Sequence, residues 1–168
     1  MEKTRENYLA WLRDAHAMEQ QGMRMMQGMV GGLNSYPQLK ARIEDHIRET
    51  EVQTDALARL LSRKGSNLSL VKDAAGRATA FAQSMSGLFA SDEVVTGTLA
   101  SYAFENMEIA SYRILIAAAE QLGDAEAVQV FRRSLEQEEA MANWLASHSA
   151  GIIRIFLSRA ELDLPALH

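Results

Sequence analysis

Proline is nearly absent from this chain. Its two copies are Pro37 and Pro165, so nothing in the interval between them forbids continuous α-helix. Ala, Leu, Glu, Gln, Arg and Met dominate that interval, and all are favourable helix formers. Apolar residues recur at steps of three and four, the spacing that lines one face of a helix. The expected class is therefore all-α.

Four long helices follow from the stripes and breaks. The first is expected over about residues 4–30, on the seam Tyr8, Leu12, Ala15, Glu19, Gly22, Met26, Met29 and Leu33. The run Gly31-Gly32-Leu33-Asn34-Ser35-Tyr36-Pro37 breaks it. A second helix reaches about residue 64 on Leu39, Ile43, His46, Thr50, Gln53, Leu57 and Leu60, and ends at Gly65-Ser66-Asn67. Residues 70–89 have helical spacing interrupted by Gly76 and Gly87, which reads as a connecting helix. A third helix over about residues 92–122 carries Val94, Thr98, Ser101, Glu105, Glu108, Tyr112, Leu115 and Ala119 on one stripe. Gly123 closes it and Asp124 caps a fourth helix, which runs to about residue 147 on Val128, Phe131, Leu135, Glu138, Ala142 and Leu145. A short C-terminal helix with Ile152, Ile153, Phe156 and Leu157 is expected to pack on the bundle or on a second subunit. Two tight hairpins joined by one long crossover between the second and third helices is the layout of a ferritin-like antiparallel four-helix bundle.

Composition narrows the function classes. At 168 residues the chain fits a single domain, residues 1–168, able to bury a core without disulfides. A net charge of -5 and the lack of a basic run argue against nucleic acid as a partner. Without cysteine there is neither a disulfide nor a thiolate metal site. The start Met1-Glu2-Lys3-Thr4-Arg5-Glu6 is too polar for a signal peptide, and no apolar stretch approaches the roughly 18 residues of a membrane span. A cytoplasmic location without membrane association is expected.

Charged residues nevertheless occupy positions where the seams should be apolar: Glu19, Glu105, Glu108 and Glu138, with Glu49 beside His46 and Gln53 on the second helix. If the first hairpin turns at Asn34, Glu19 and Glu49 each lie 15 residues from the turn, which at about 1.5 Å per residue puts them at one height. Glu108 and Glu138 stand in the same relation to Gly123, and one offset of 89 residues carries Glu19 onto Glu108, Glu49 onto Glu138 and His16 onto Glu105. Several buried carboxylates are prohibitive without compensating positive charge, and no Lys or Arg shares that level on these stripes. Two divalent metal ions would balance four carboxylates. Glutamates with one imidazole suit iron, manganese or zinc, with iron the expected metal. Glu105-x-x-Glu108 and His46-x-x-Glu49 each place two donors one turn apart.

Plainer readings stand beside these. Of Glu136, Glu138 and Glu139, only the heptad step selects Glu138, and whether Glu139 or His16 joins the site stays open. An isolated seam histidine is more often a hydrogen-bonded core residue; His46 gains from its i+3 glutamate, His16 less so. Met18, Met23, Met25, Met26 and Met29 read as core packing. Tyr112 and Gln53 are either hydrogen-bond partners of ligating carboxylates or ordinary core residues.

Four segments together resemble the bacterial YciE/YciF-type ferritin-like family over nearly the whole chain: Asp14-Ala15-His16-Ala17-Met18-Glu19, His46-Ile47-Arg48-Glu49-Thr50-Glu51-Val52-Gln53, Glu105-Asn106-Met107-Glu108-Ile109-Ala110-Ser111-Tyr112 and Leu135-Glu136-Gln137-Glu138-Glu139-Ala140. The resemblance implies a ferritin-like bundle, commonly a homodimer, with a di-metal centre and a link to stress responses. The chain departs from the common di-iron pattern, in which Glu-x-x-His occurs on two helices. The order on its second helix is inverted, and Met141 stands where a histidine is expected. The expected function is a di-iron carboxylate protein reacting with dioxygen or peroxide, with Glu19, His46, Glu49, Glu105, Glu108 and Glu138 as ligands. The alternative is a non-catalytic helical scaffold with a vestigial or structural metal site.

Overall fold

The structure is a computed structural model that describes residues 2–66 and 93–162. Four helices make it up: α1 (Glu2–Val30), α2 (Pro37–Arg63), α3 (Glu93–Gln121) and α4 (Ala125–Glu161). Among the described residues there is no strand. The connecting helix expected over residues 70–89 lies outside the described residues.

Local chemistry sets the helix ends. Pro37 occupies the first turn of α2, where a missing N–H costs nothing. Gly65 has φ +70° and Gly123 φ +69°, a region that favours glycine. Both close Schellman motifs: the Ser66 N–H donates to the Leu61 carbonyl and the Asp124 N–H to the Ala119 carbonyl, at 3.1 and 2.9 Å. Asp124 then caps α4 by accepting from the Ala127 N–H at 3.3 Å.

Both hairpins, α1–α2 and α3–α4, are antiparallel, and they pack chiefly through α1 against α3, with a sparser contact between α2 and α4. Glu19 of α1 meets Tyr112 of α3, while farther along α1 Met29 lies against Gly97 near the start of α3, so these helices also run in opposite directions. Ser66 bonds Arg13 at one end of the bundle, whereas Val94 belongs to the apolar cluster at the other. The α2–α3 connection therefore links opposite ends, as the crossover topology requires.

One apolar cluster, built on Tyr8, Leu12, Leu57, Leu61, Leu115 and Phe131, fills the end near the α3–α4 turn. A second, with Met26, Leu33, Tyr36, Ile43, Met141 and Leu145, fills the other. Each fully buried large apolar side chain contributes roughly 1.5–3 kcal/mol, so the two clusters clamp whatever lies between them. The separate tail helix expected after residue 147 is corrected: α4 runs unbroken through Gly151 to Glu161, because that exposed glycine only weakens a helix and Ile152 anchors the far side in the second cluster. Phe156 packs against the same cluster while Leu157 faces outward. No described helix is long and apolar enough to cross a membrane.

Candidate metal centre

Between the two clusters the core turns polar. Glu19 and Glu138 are 0% exposed, Glu105 1% and Glu108 3%, and His46 is fully buried among them. The seam stepping explains this: each occupies an inward position of its helix, one turn from an apolar neighbour such as Ala15, Tyr112 or Met141. No Lys or Arg is among the buried described residues.

His46 is the hub. Its Nδ1 lies 2.7 Å from Glu49 Oε2, and its Nε2 lies 3.0 Å from Glu105 Oε2 and 3.1 Å from Glu138 Oε2. One ring hydrogen on Nε2 serves at most one of those two carboxylates at full strength. His46, Glu105, Glu108 and Glu138 each offer a ligand atom within 4.8 Å of one another. Glu19 stands outside that group but acts on it electrostatically, and its Oε1 accepts a hydrogen bond from the Tyr112 hydroxyl. Gln53 donates through Nε2 to Glu138 Oε1 at 2.6 Å and to Gln137 Oε1 at 2.9 Å. Glu19 Oε2, Glu108 Oε1 and Gln53 Oε1 are buried without a hydrogen-bond partner.

The electrostatics follow from this crowding. Burial pushes Glu19 and Glu108 well above the usual carboxylate range, and neighbouring carboxylates push further. Burial likewise raises Glu105 to about 8, although His46 works against it. For His46, burial disfavours the charged ring, but hydrogen bonds to Glu105, Glu138 and Glu49 outweigh it and carry the ring to about 12. Glu49 is held below its usual value, first by the hydrogen bond to His46 and then by Arg42, 3.2 Å away.

The expected site residues thus divide. Glu19, His46, Glu105, Glu108 and Glu138 come together in the core. Glu49 sits at its edge with its side chain 31% exposed, holding the ring nitrogen that faces away from Glu105 and Glu138. Tyr112 and Gln53 bond to Glu19 and Glu138. His16 is buried one turn before Glu19, with Nδ1 unpartnered, and is not one of the four grouped donors. Glu139 points outward to Arg113, 2.7 Å away. Met141, where a histidine was expected, is fully buried in the second apolar cluster. Ser134 was missed by the sequence reading: it is buried on α4 and hydrogen-bonds the Tyr112 oxygen. Its signal, a serine one turn before Glu138 on the inward face, was visible but not distinctive.

The donor set fits divalent cations better than it fits an empty core. Four carboxylates converge with unpartnered oxygens turned inward, and among the described residues no buried Lys or Arg meets them, only the single imidazole of His46.

Known structures share this architecture. A crystallised protein of Xanthomonas campestris pv. campestris is 36% identical over 95% of this chain and 99% of its own, with a TM-score of 0.79. YcfI of Rhodopseudomonas palustris is 26% identical, covering 85% of this chain and 92% of its own, with a TM-score of 0.67. The E. coli stress protein YciF, at 22% identity over 88% of this chain and 94% of its own, has a TM-score of 0.67 and the same fold. Residues 3–158 match the family described as a domain of unknown function, DUF892, and the chain belongs to that family.

Proposed function

We propose that this protein is a ferritin-like di-metal carboxylate protein, with iron the metal the donors suit best and dioxygen or peroxide the reactant. One observation carries the reading: four carboxylates and one imidazole meet in the buried middle of the bundle, with Glu19 Oε2 and Glu108 Oε1 unpartnered. His46 Nε2, Glu105, Glu108 and Glu138, with Glu19 beside them, would hold the ions. Bound iron would supply the electron-transfer chemistry. The chain's own groups do the rest. Glu49 fixes His46 by taking its Nδ1, so Nε2 is the nitrogen presented to a metal. The Tyr112 and Gln53 hydrogen bonds orient Glu19 and Glu138, and the flanking apolar clusters exclude bulk water. A stress-related role is lent by the likeness to YciF.

The test is metal content. Protein loaded with Fe(II) under nitrogen and then desalted should retain about two ions per chain, the number that balances four carboxylates. Glu105→Gln combined with Glu138→Gln should retain far less while staying helical. Equal metal in both proteins rejects the assignment. Admitting air should then consume Fe(II), followed with a colorimetric chelator, faster than in buffer alone.

A second reading has its own support. A protonated His46 already bonds Glu105 and Glu49 and lies against Glu138, so the polar core partly neutralises itself and would suit a scaffold without turnover. Such a scaffold keeps one melting temperature before and after chelation.

A further inference from the structure

The α2–α4 seam is looser than the α1–α3 seam, and it leaves a groove of about 640 Å³. Val52, Gln53 and Arg59 line it from α2; Arg132, Arg133 and Gln137 line it from α4. A second hollow of about 680 Å³ shares Val52, Arg133 and Gln137 and reaches Glu49. In a chain of net charge -5, the first hollow presents three guanidinium groups against a single acid, Glu136. Arg132 is engaged with Glu120 at 2.9 Å, but Arg59 and Arg133 form no ion pair among the described residues. The floor is thin. Gln53 lines the groove and also donates to Glu138, so one amide side chain separates the hollow from the buried carboxylates.

Free metal ions would be repelled by such a lining, whereas planar guanidinium forks match the paired oxygens of a carboxylate or phosphate. The half-exposed Val52 adds an apolar wall for an organic body. We infer that the α2–α4 groove is a binding site for a small oxyanion-headed organic molecule, held by Arg59 and Arg133 beside the metal centre as a co-reactant of the dioxygen or peroxide. The binding stands on the groove itself; its service to the centre rests on the metal-centre reading above.

Inorganic phosphate and succinate, titrated separately into the metal-free protein and followed by amide NMR, separate the two oxyanion sources. Either should shift resonances of Val52, Gln53 and Gln137. Arg59→Gln with Arg133→Gln, both exposed positions, should weaken that binding about tenfold or more while leaving metal content unchanged. Shifts with neither anion, or shifts that persist unweakened in the double variant, overturn the inference. With Mn(II) in the centre, the methylene resonance of bound succinate should broaden; a sharp resonance from succinate bound in the groove refutes its service to the centre. A wild-type chain that takes up no metal yet still binds either anion refutes the metal-centre reading and keeps the groove.

Discussion

Glu105 and His46 both leave their ordinary values in the same direction, and the sign of a pH effect follows. Glu105 moves from 4.5 to about 8 because burial disfavours its charge, and His46 from 6.5 to about 12 because its carboxylate partners overcome burial. In both cases the folded state binds protons more tightly than the unfolded one, so the associated stability is fully present below the unfolded value and is lost as pH rises through the folded one. Glu49, held low by His46 and Arg42, acts oppositely, with its contribution lost as pH falls below the ordinary carboxylate value. Chelated protein should therefore melt at a lower temperature near pH 8 than near pH 5; thermal melts across that window check it, and a melting temperature that climbs with pH contradicts it. Two glycines give a second prediction at this scale. A Cβ at Gly22 would lie 2.8 Å from the Phe104 ring and 3.3 Å from Glu108 Oε1, both in the packed core, whereas one at Gly97 would meet the flexible end of Met29 at 2.6 Å. Replacing either by alanine gains about 1 kcal/mol of helix propensity. Overpacking at Gly22 costs about 1–3 kcal/mol and displaces Glu108. Urea melts should show Gly97→Ala near or above wild type and Gly22→Ala below it, with weaker metal retention in the latter.

The α3–α4 hairpin shows how one residue secures an element. Burial alone would raise the Asp124 carboxyl, but hydrogen bonds from Lys64 and from the Ala127 N–H hold it low, and Tyr8 Oη donates to it at 3.4 Å. A depressed folded value means stability present above the unfolded value near 3.8 and lost as pH falls. Asp124→Ala removes the α4 cap and strands Lys64, for about 1–2 kcal/mol, or a melting temperature lower by about 2–8 °C. Asp124→Asn, which still caps, should lose less; equal losses would place the stabilisation in the Lys64 pair alone. The helix boundaries themselves were legible in the sequence because Pro37, Gly65 and Gly123 mark them chemically. Gly151 carries no such geometric demand, which is why a break expected near it is absent. For the site, counting residues from a turn gives height along a helix but not which way a side chain points. Glu19, Glu108 and Glu138 were legible because each also lies on an apolar stripe. His46 also lies on its helix's stripe and Glu49 beside it, but only packing shows that Glu49 grips the outer nitrogen of the inward imidazole.

At the scale of the whole molecule, the bundle is two apolar clusters separated by a layer of buried ionisable groups, and on the proposed metal-centre reading that layer couples stability to metal. Without metal, His46 offsets only part of the buried carboxylate charge, and the remaining carboxyls must take up protons or stay charged, which weakens the fold at neutral pH. A metal that binds only the folded state stabilises it by about 2.7 kcal/mol when present at a hundredfold excess over its dissociation constant. For a chain of this size, that amounts to a gain in melting temperature of roughly 5–11 °C. Glu19→Gln with Glu108→Gln separates this gain from mere packing. The amides keep the shape and delete two charges, so the metal-free variant should melt above the metal-free wild type near pH 8, and added metal should move it little. The comparison needs four melts, each protein with chelator and with Mn(II). If the variant gains as much from Mn(II) as the wild type does, the stabilising ion lies somewhere other than between Glu19 and Glu108.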